Sequence, residues 1–340
     1  MPQKPATIKE IARRLNVSVS TVSRALHNHP SIGLRTRTQV QKLAEELNYE
    51  PNQAAISFKQ GKTFTIGVIL PNLGEEFFSI AINGIEEVAL RNNYTVLIGQ
   101  SHDDAAREKQ VLDTMRRHRV DGILVSLSKN TDDLEPFKQL AKYNIPVVFF
   151  DRVPAGDDFY SVSCDLRNSS VQLVDWLVSQ GHKSIGIIKG PEKMIPSLER
   201  MNGYEAGLKK NGIRPVPAWV AQTDLSRVQT WAAMDKLFEG KRKPTAIIAF
   251  NDYVALDAIK YARQKGWRIN KDISFVSYAN LPVTSYLDEP PVASVEQFPY
   301  EQASRAAGIL LALINKVENE LPEKRIVMQS QVIVTGEKTS

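Results

Sequence analysis

The residues best suited to chemistry lie on one face of a short helical pattern near the N-terminus. In the stretch that follows Ser18, one face is apolar and the other carries short hydroxyl side chains and cations, namely Ser20, Thr21, Ser23, Arg24 and His27. Such donors suit the phosphates and base edges of DNA, and Arg24 can form a bidentate pair with guanine. A helix this short is marginal in water, so it must pack against a neighbour.

The neighbouring helix is predicted directly upstream. Its apolar residues recur at helical spacing, at Ile8, Ile11, Ala12 and Leu15. Thr7 and Glu10 are spaced as a capping box for its start, and Ser18 is placed to cap the second helix. Two packed short helices with a polar, cationic edge predict a helix-turn-helix whose second helix enters the DNA major groove, and an ordinary helical hairpin is the alternative. A third helix, at about residues 36–47, would close the core.

The charge of the 340-residue chain is uneven. The net charge is +5, yet residues 1–62 hold ten basic and four acidic side chains, so the remainder is close to neutral. A basic module on a near-neutral body is typical of proteins that bind polyanions. The segment 51–61, PNQAAISFKQG, follows this module and is either a linker or a short hinge helix that inserts an apolar wedge into the minor groove.

Several function classes lack support in the sequence. A single cysteine, Cys164, excludes an internal disulfide, fits a reducing compartment and is expected in the core. We find no signal peptide and no membrane-spanning run, so a cytoplasmic, nucleoid-associated protein is expected. Because no dinucleotide, P-loop or nucleophile-elbow motif occurs, we expect no enzyme activity and no catalytic residues. No cofactor or metal site is expected either, and His27 and His29 lack the spacing of metal ligands.

The body beyond residue 62 alternates short apolar runs with amphipathic helices, which predicts parallel sheets covered on both faces. This number of units suggests two lobes separated by a cleft. We expect strands at residues 64–70, 94–99, 122–127, 146–150, 184–189, 245–250 and 273–278, and one last strand at 325–334. One of the intervening helices is expected at residues 132–143.

The domain limits follow from these patterns. We predict a DNA-binding head at residues 1–50, a hinge at 51–61, and a ligand-binding and dimerisation body at 62–340. The first lobe would hold about residues 62–158 and 292–324, and the second about 159–291 and 325–340. The stretches 152–158 and 280–291 are predicted to cross between the lobes.

Three stretches carry a resemblance to a known family. TIKEIARRLNVSVSTVSRAL, then LAEELNYEPN, then KTFTIGVILPN resemble the start of bacterial regulators of the lactose-repressor (LacI/GalR) family, and the likeness covers nearly the whole chain. The resemblance implies a helix-turn-helix head and a body similar to periplasmic sugar-binding proteins. It also implies a transcriptional repressor that binds operator DNA as a homodimer through the first lobe, near residues 76–91 and 97–118.

By residue-for-residue matching, the resemblance implies that Val19, Ser20 and Arg24 contact bases and that Thr21 and Ser23 hold phosphates. It places Ala55 and the Phe58 wedge of the hinge at the minor groove. The predicted DNA-binding set is completed by Thr7, His27, Arg35 and Asn52.

Effector-binding candidates follow the strand ends, because ligands in such folds lie beyond the carboxyl ends of the strands. The candidates are Asn72, Phe77, Phe78, Ser101, His102, Ser126, Ser128, Asp151, Arg152, Tyr278 and Gln297. The resemblance adds Arg200, in the segment GPEKMIPSLERMNGY that it places over the cleft, and Asn251, which it matches to an effector-binding amide. Many sugar-binding members of the family carry an acid after the aromatic residue of the seventh strand, where this chain has Ala279 and Asn280. The effector is expected to be sugar-like, with a sugar phosphate or a nucleobase left open. The rival interpretation is a small-molecule-binding protein or carbohydrate enzyme that does not bind DNA.

Overall fold

The structure, a computed structural model, describes residues 6–50, 61–316 and 323–336. The chain divides into two compact units, Met1–Thr63 and Phe64–Ser340, which we call the head and the body. The predicted hinge residues Asn52, Ala55 and Phe58 lie outside the described residues.

Three helices form the head: α1 (Ile8–Arg14), α2 (Val19–Leu26) and α3 (Leu34–Glu46). Each is followed by an asparagine in the left-handed region, at Asn16, Asn28 and Asn48, with φ of 52°, 54° and 45°. Asparagine tolerates this conformation better than most residues, and it lets the next backbone N–H bond back to the helix end. The three turns therefore have a clear origin in the sequence.

Caps and a small core complete the head. The Thr7 hydroxyl accepts a bond from the Glu10 N–H and the Ser18 hydroxyl accepts one from the Thr21 N–H, as predicted. The second bond predicted for the capping box, from the Thr7 backbone N–H to the Glu10 carboxylate, is wrong, because this carboxylate pairs with Arg14 at 2.7 Å. The buried residues of this core are Ile11, Ala12, Val22, Ala25, Val40 and Ala44.

The first sheet of the body is entirely parallel, with strand order β11-β5-β4-β3-β1-β2. Its strands are β1 (Thr65–Leu70), β2 (Thr95–Gln100), β3 (Gly122–Val125), β4 (Val147–Phe150), β5 (Tyr160–Cys164) and β11 (Arg325–Met328). The helices packed on it are α4 (Glu76–Arg91), α5 (Ala105–Arg117), α6 (Glu135–Lys138) and α11 (Pro299–Asn315). We call this half of the body the first lobe.

The second sheet has strand order β12-β10-β9-β8-β6-β7, and β12 alone pairs antiparallel. Its strands are β6 (Ile185–Lys189), β7 (Val220–Gln222), β8 (Ala246–Ala249), β9 (Ser274–Ala279), β10 (Ala293–Glu296) and β12 (Gln331–Val334). Its helices are α7 (Leu166–Ser179), α8 (Ile195–Lys210), α9 (Arg227–Leu237) and α10 (Asp252–Gln264). We call this half the second lobe.

The structure corrects several predicted limits. Residues 152–158 join β4 to β5 within the first sheet, and residues 280–291 join β9 to β10 within the second, so neither crosses between lobes. The chain crosses instead after β5, after β10 and between β11 and β12. Strands β5 and β11 therefore belong to the first lobe and β10 to the second, contrary to the predicted division. The tail forms two strands because each half pairs with a different sheet.

Two further predictions of local structure were incomplete. The helix expected at residues 132–143 is a short α-helix, Glu135–Lys138, continued by a 3₁₀ turn, Gln139–Tyr143. Pro136 and Asn144, which has φ of 56°, restrict it at either end. Helix α11 was not predicted, although Pro299 at its first turn and its alanine- and leucine-rich face are typical helix signals.

Candidate functional site

The exposed face of α2 carries the predicted DNA contacts. Val19, Ser20, Arg24 and His27 are exposed, while Val22 and Ala25 are fully buried in the head core. The Ser18 hydroxyl bonds to both the Ser20 and Thr21 hydroxyls, at 2.7 and 2.8 Å, which orders the start of this face. The helix is therefore held by its inner face and offers its outer face to a partner.

Arg24 is the side chain on this face that has the most unused hydrogen-bonding capacity. Among the described residues, we find no ion pair or side-chain hydrogen bond to its guanidinium, in contrast to Arg14, which is held by Glu10. His27 is less free, because its Nδ1 lies 2.8 Å from the Ser23 carbonyl oxygen. Arg35 is exposed in the first turn of α3, and Thr7 uses its hydroxyl to cap α1.

A cavity lies between the two lobes, beyond the carboxyl ends of β1, β4, β8 and β9. It has an empty volume of about 420 Å³ including the part open to solvent. Seven predicted effector-binding residues line it: Phe77, Phe78, Asp151, Arg152, Arg200, Asn251 and Gln297.

Arg200 projects into this cavity from α8 and is only 6% exposed. Its guanidinium carbon lies 4.2 Å from the centre of the Phe250 ring and 4.4 Å from that of Tyr278, so two aromatic faces hold it. Its Nη2 donates to Gln297 Oε1 at 3.1 Å, whereas Nε and Nη1 have no partner among the described residues. Burial lowers the pKa of Arg200 to about 10, so the side chain is still cationic at neutral pH.

Arg152 is the second buried cation, but its charge is already matched. Its Nη1 donates to Asp103 at 2.5 Å, and its Nη2 lies 3.8 Å from Glu75. Burial raises the pKa of Glu75, and the positive charge of Arg152 opposes that rise. Burial likewise raises the pKa of Asp151, which accepts a bond from Ser126 at 3.2 Å. The cavity thus presents one unmatched cation and acidic groups on the facing wall.

The structure places six other predicted effector residues outside the cavity lining, and four of them form hydrogen bonds within or between neighbouring loops. Ser101 and Ser128 bond to each other at 2.7 Å, and Ser128 also bonds to the buried Glu108. Ser126 bonds to Asp151, and Asn72 accepts from the Gly74 N–H at 2.8 Å. His102 is exposed, and Tyr278 lies behind Arg200 with its hydroxyl 2.5 Å from that of Ser170.

Several lining residues were missed in the sequence. These are Glu75, Met194, Pro196, Phe250, Tyr253, Ala279 and Leu281. Phe250 directly follows β8, so the strand-end rule could have found it. Met194 and Leu281 reach the cavity from loops whose course the sequence does not reveal.

Asp252 is a buried acid that does not line the cavity. Its carboxylate accepts bonds from the Leu281 N–H at 2.6 Å, from the Ser294 hydroxyl at 2.9 Å and from the Ser277 hydroxyl. Burial raises its pKa to about 6, and these three donors oppose the rise. Its position identifies Asp252 as an anchor for the turn that carries Leu281.

Metal sites and membrane spans are both absent from the described part of the chain. No group of three or more histidine, cysteine, aspartate or glutamate side chains there could hold a metal ion. No helix there has the length and apolar character needed to span a bilayer.

Comparison with known proteins gives consistent matches to both units. The family model for bacterial regulatory proteins, lacI family, matches residues 7–52, and that for a periplasmic binding protein domain matches residues 66–318. The HTH-type transcriptional repressor CytR of Escherichia coli strain K12 is 33% identical over 308 residues, which cover 90% of this chain and 89% of CytR.

Solved structures share the fold over nearly the whole chain. The Lac repressor dimer bound to operator and the anti-inducer ONPF matches with a TM-score of 0.84 at 24% identity, over 97% of this chain and 98% of that chain. The complex of the transcriptional regulator CelR with cellobiose matches with a TM-score of 0.72, also at 24% identity and with the same coverage. These matches confirm the predicted fold class, a helical head followed by a two-lobed α/β body.

Proposed function

The chain belongs to the lacI family of bacterial regulatory proteins, and we propose that a small molecule bound beside Arg200 sets its affinity for operator DNA. It is a DNA-binding transcriptional repressor with an effector-binding domain, and it is not an enzyme.

The observation that carries the proposal is the set of unpaired N–H groups on Arg200. A guanidinium that is 6% exposed and lacks partners at Nε and Nη1 has lost water without a full replacement. Such unsatisfied burial is costly, by about 1–3 kcal/mol for each group and more for charged ones. A ligand that offers oxygen acceptors at this point removes that cost, which makes Arg200 the expected anchor of the effector.

We infer that the effector is a sugar or sugar derivative. Hydroxyl groups both donate and accept, so they suit a cavity that combines the donors of Arg200 and Asn251 with the acceptors of Asp151. The ring of Phe77, which lines the cavity, offers an apolar surface to the carbon side of a sugar ring. The cellobiose complex of CelR shows that this fold accepts a sugar in a relative.

A neutral effector fits this charge pattern better than a sugar phosphate. Arg152 is matched by Asp103, and Arg200 faces the carboxyl groups of Asp151 and Glu75. A phosphate would add about two negative charges to a wall that already carries acids, with one free cation to balance them.

We further propose that the protein acts as a homodimer on a two-fold operator. Arg24 and its neighbours on α2 would contact bases, and the first lobe would form the dimer contact. Leu90 at the end of α4 is 77% exposed, and Leu97 and Ile98 on the edge strand β2 are each 37% exposed. Exposed apolar side chains on α4 and on the edge strand β2 favour a protein contact at this edge of the first lobe. We assign residues 1–50 to DNA binding, 51–61 to the connection and 62–340 to effector binding, and expect the protein in the cytoplasm with the chromosome.

A thermal-shift screen of the purified full chain tests the effector assignment. The panel should contain neutral monosaccharides, cellobiose, sugar 6-phosphates and nucleosides, each added to wild type, Arg200→Ala and Arg214→Ala. We expect a neutral sugar to raise the melting temperature of wild type and of Arg214→Ala, an exposed-arginine control. The same sugar should leave Arg200→Ala unchanged. A sugar phosphate or nucleoside as the sole stabiliser would contradict the assigned class, and an unaltered response of Arg200→Ala would contradict the assigned anchor.

A further inference from the structure

The two lobes touch along a buried border that we call the apolar seam. Tyr253, Leu281 and Val283 of the second lobe pack into the core of the first lobe together with Phe77 and Phe78. The Val283 N–H donates to the Glu76 carboxylate at 3.1 Å, and the Glu76 N–H donates to the Tyr253 hydroxyl at 3.3 Å. Leu281 is 2% exposed, so opening this seam would expose apolar surface to water.

A second border between the lobes is polar and exposed, and we call it the lysine border. The Lys193 ammonium pairs with the Asp132 carboxylate, and their side chains are 63% and 59% exposed. The Lys129 ammonium donates to the backbone oxygen of Asp224 at 2.9 Å. Exposed ion pairs of this kind contribute little and are screened by salt.

The strand order places the second-lobe side of the lysine border far from the crossings between lobes. The crossings follow β5, β10 and β11, which lie at one end of their sheets together with β12. Lys193 follows β6 and Asp224 follows β7, at the opposite end of the second sheet. In the first sheet, however, Lys129 and Asp132 follow β3, whereas Glu76 of the apolar seam follows β1, which is farther from the crossings. The two borders therefore differ in the contacts that hold them and not in their distance from the crossings.

Both borders adjoin the cavity. Tyr253 and Leu281 of the apolar seam line it directly, and Met194, the residue after Lys193, also lines it. A small molecule could therefore reach Arg200 by opening either border.

We propose that the effector enters and leaves through the lysine border, while the apolar seam stays packed. The proposal rests on the proposed effector site, but it concerns the route to that site. The lysine border is held by two solvent-exposed contacts, and the seam is held by buried apolar side chains and a backbone hydrogen bond to Glu76. Lys129 and Lys193 then control the rate of entry without contacting the bound molecule.

Thiol labelling of the full-length protein tests the route without an effector or DNA. Two reporters, Met194→Cys beside the lysine border and Leu281→Cys in the seam, are each treated with N-ethylmaleimide. Cys164 is the background thiol; it is 7% exposed, and burial raises its pKa to about 12, so it reacts slowly. Each rate is divided by the rate of the same variant unfolded in urea, which removes intrinsic differences between the thiols.

We expect the Met194→Cys thiol to react at least tenfold faster than the Leu281→Cys thiol. Adding Lys193→Ala, or raising the salt concentration, should increase the Met194→Cys rate several-fold and leave the Leu281→Cys rate unchanged. Lys209→Ala, an exposed lysine on α8, should change neither rate. Equal normalised rates, or a salt effect confined to Leu281→Cys, would overturn the route. Because no effector is used, a failed sugar screen would contradict the proposed function and leave this result intact.

Discussion

Arg200 and Gln297 are joined by a hydrogen bond of 3.1 Å between guanidinium Nη2 and carboxamide Oε1. Gln297 lies where the chain crosses from β10 to α11, and its backbone oxygen accepts bonds from the Cys164 thiol at 3.0 Å and from the Gln302 amide at 2.6 Å. Cys164 ends β5, so one residue connects the cavity to two of the three crossings. A ligand that draws Arg200 away from Gln297 would act on these crossings, and it shifts the lobes to the extent that it binds the two arrangements unequally.

Replacing Arg24 should reduce discrimination between operator and random DNA more than total affinity. A bidentate contact with guanine contributes about 1–3 kcal/mol of base discrimination, so we expect Arg24→Ala to lose about tenfold to a hundredfold on operator DNA. Gel retention on operator and random duplexes at one fixed salt concentration measures both. Arg14→Ala, whose side chain is paired with Glu10, should change the ratio little. If Arg24→Ala lost the same factor in affinity for operator and random DNA, Arg24 would contact phosphate and not a base.

Adding a methyl group at Gly203 should destabilise the second lobe. A Cβ there would lie 2.2 Å from the Arg167 backbone oxygen, where α7 and α8 cross, so the helices must separate. We expect Gly203→Ala to lower the free energy of unfolding by about 1–3 kcal/mol, as overpacking does, in urea denaturation.

Gly308→Ala is the matched control for this substitution. Gly308 is also helical, but a Cβ added there would meet no atom within 4 Å, and alanine has the better helix propensity by about 1 kcal/mol. Gly308→Ala should therefore be neutral or stabilising. A Gly203→Ala protein as stable as Gly308→Ala would show that the crossing of α7 and α8 adapts freely.

Ionisation of Asp252 should make stability depend on pH between about 4 and 6. Its folded pKa is raised to about 6 from 3.8, so the folded state holds the proton over this window and the unfolded state does not. Stability from this group is complete below the unfolded pKa and falls as pH rises to the folded pKa, by up to about 3 kcal/mol. Asp252→Asn cannot titrate at this position. The free energy of unfolding of wild type minus that of the variant, measured by urea denaturation, should therefore decrease from pH 4 to pH 7. An advantage that grows with pH would reverse the assigned direction.

The sequence predicts the head and the sheet interiors well because their signals are local. Helix caps and asparagine turns act within a few residues. Strands β1 and β9 are buried on both faces, so most of their residues are apolar and each strand is visible as a single run. Strands β5, β7 and β10 were missed because they are short and contain serine, glutamine or glutamate. Their pairing partners lie far along the chain, and no local pattern reveals which sheet a short polar strand joins.

The candidate site was predictable in part for the same reason. The rule that ligands lie beyond strand ends selected Asp151 and Arg152, and the family resemblance selected Asn251; all three line the cavity. The rule also selected Ser101 and Ser128, whose hydroxyls face each other and support a loop. The difference depends on side-chain direction, which is decided by contacts between distant segments. Tyr253 and Leu281 belong to the second lobe, and they line the cavity where they pack against the first lobe. That contact joins segments that are far apart in the chain, so no local pattern predicts it.

The most direct test of the account is a footprint on operator DNA with and without the sugar that stabilises wild type in the screen. We predict that the sugar shifts the wild-type concentration needed for half-maximal protection at least tenfold. Arg200→Ala should protect the same sequence, at a concentration that the sugar does not change. Head and cavity would then be separate sites coupled through the body. An Arg200→Ala protein that still responds, or a wild-type protein whose footprint never changes with the bound sugar, would contradict the claim that this cavity controls DNA binding.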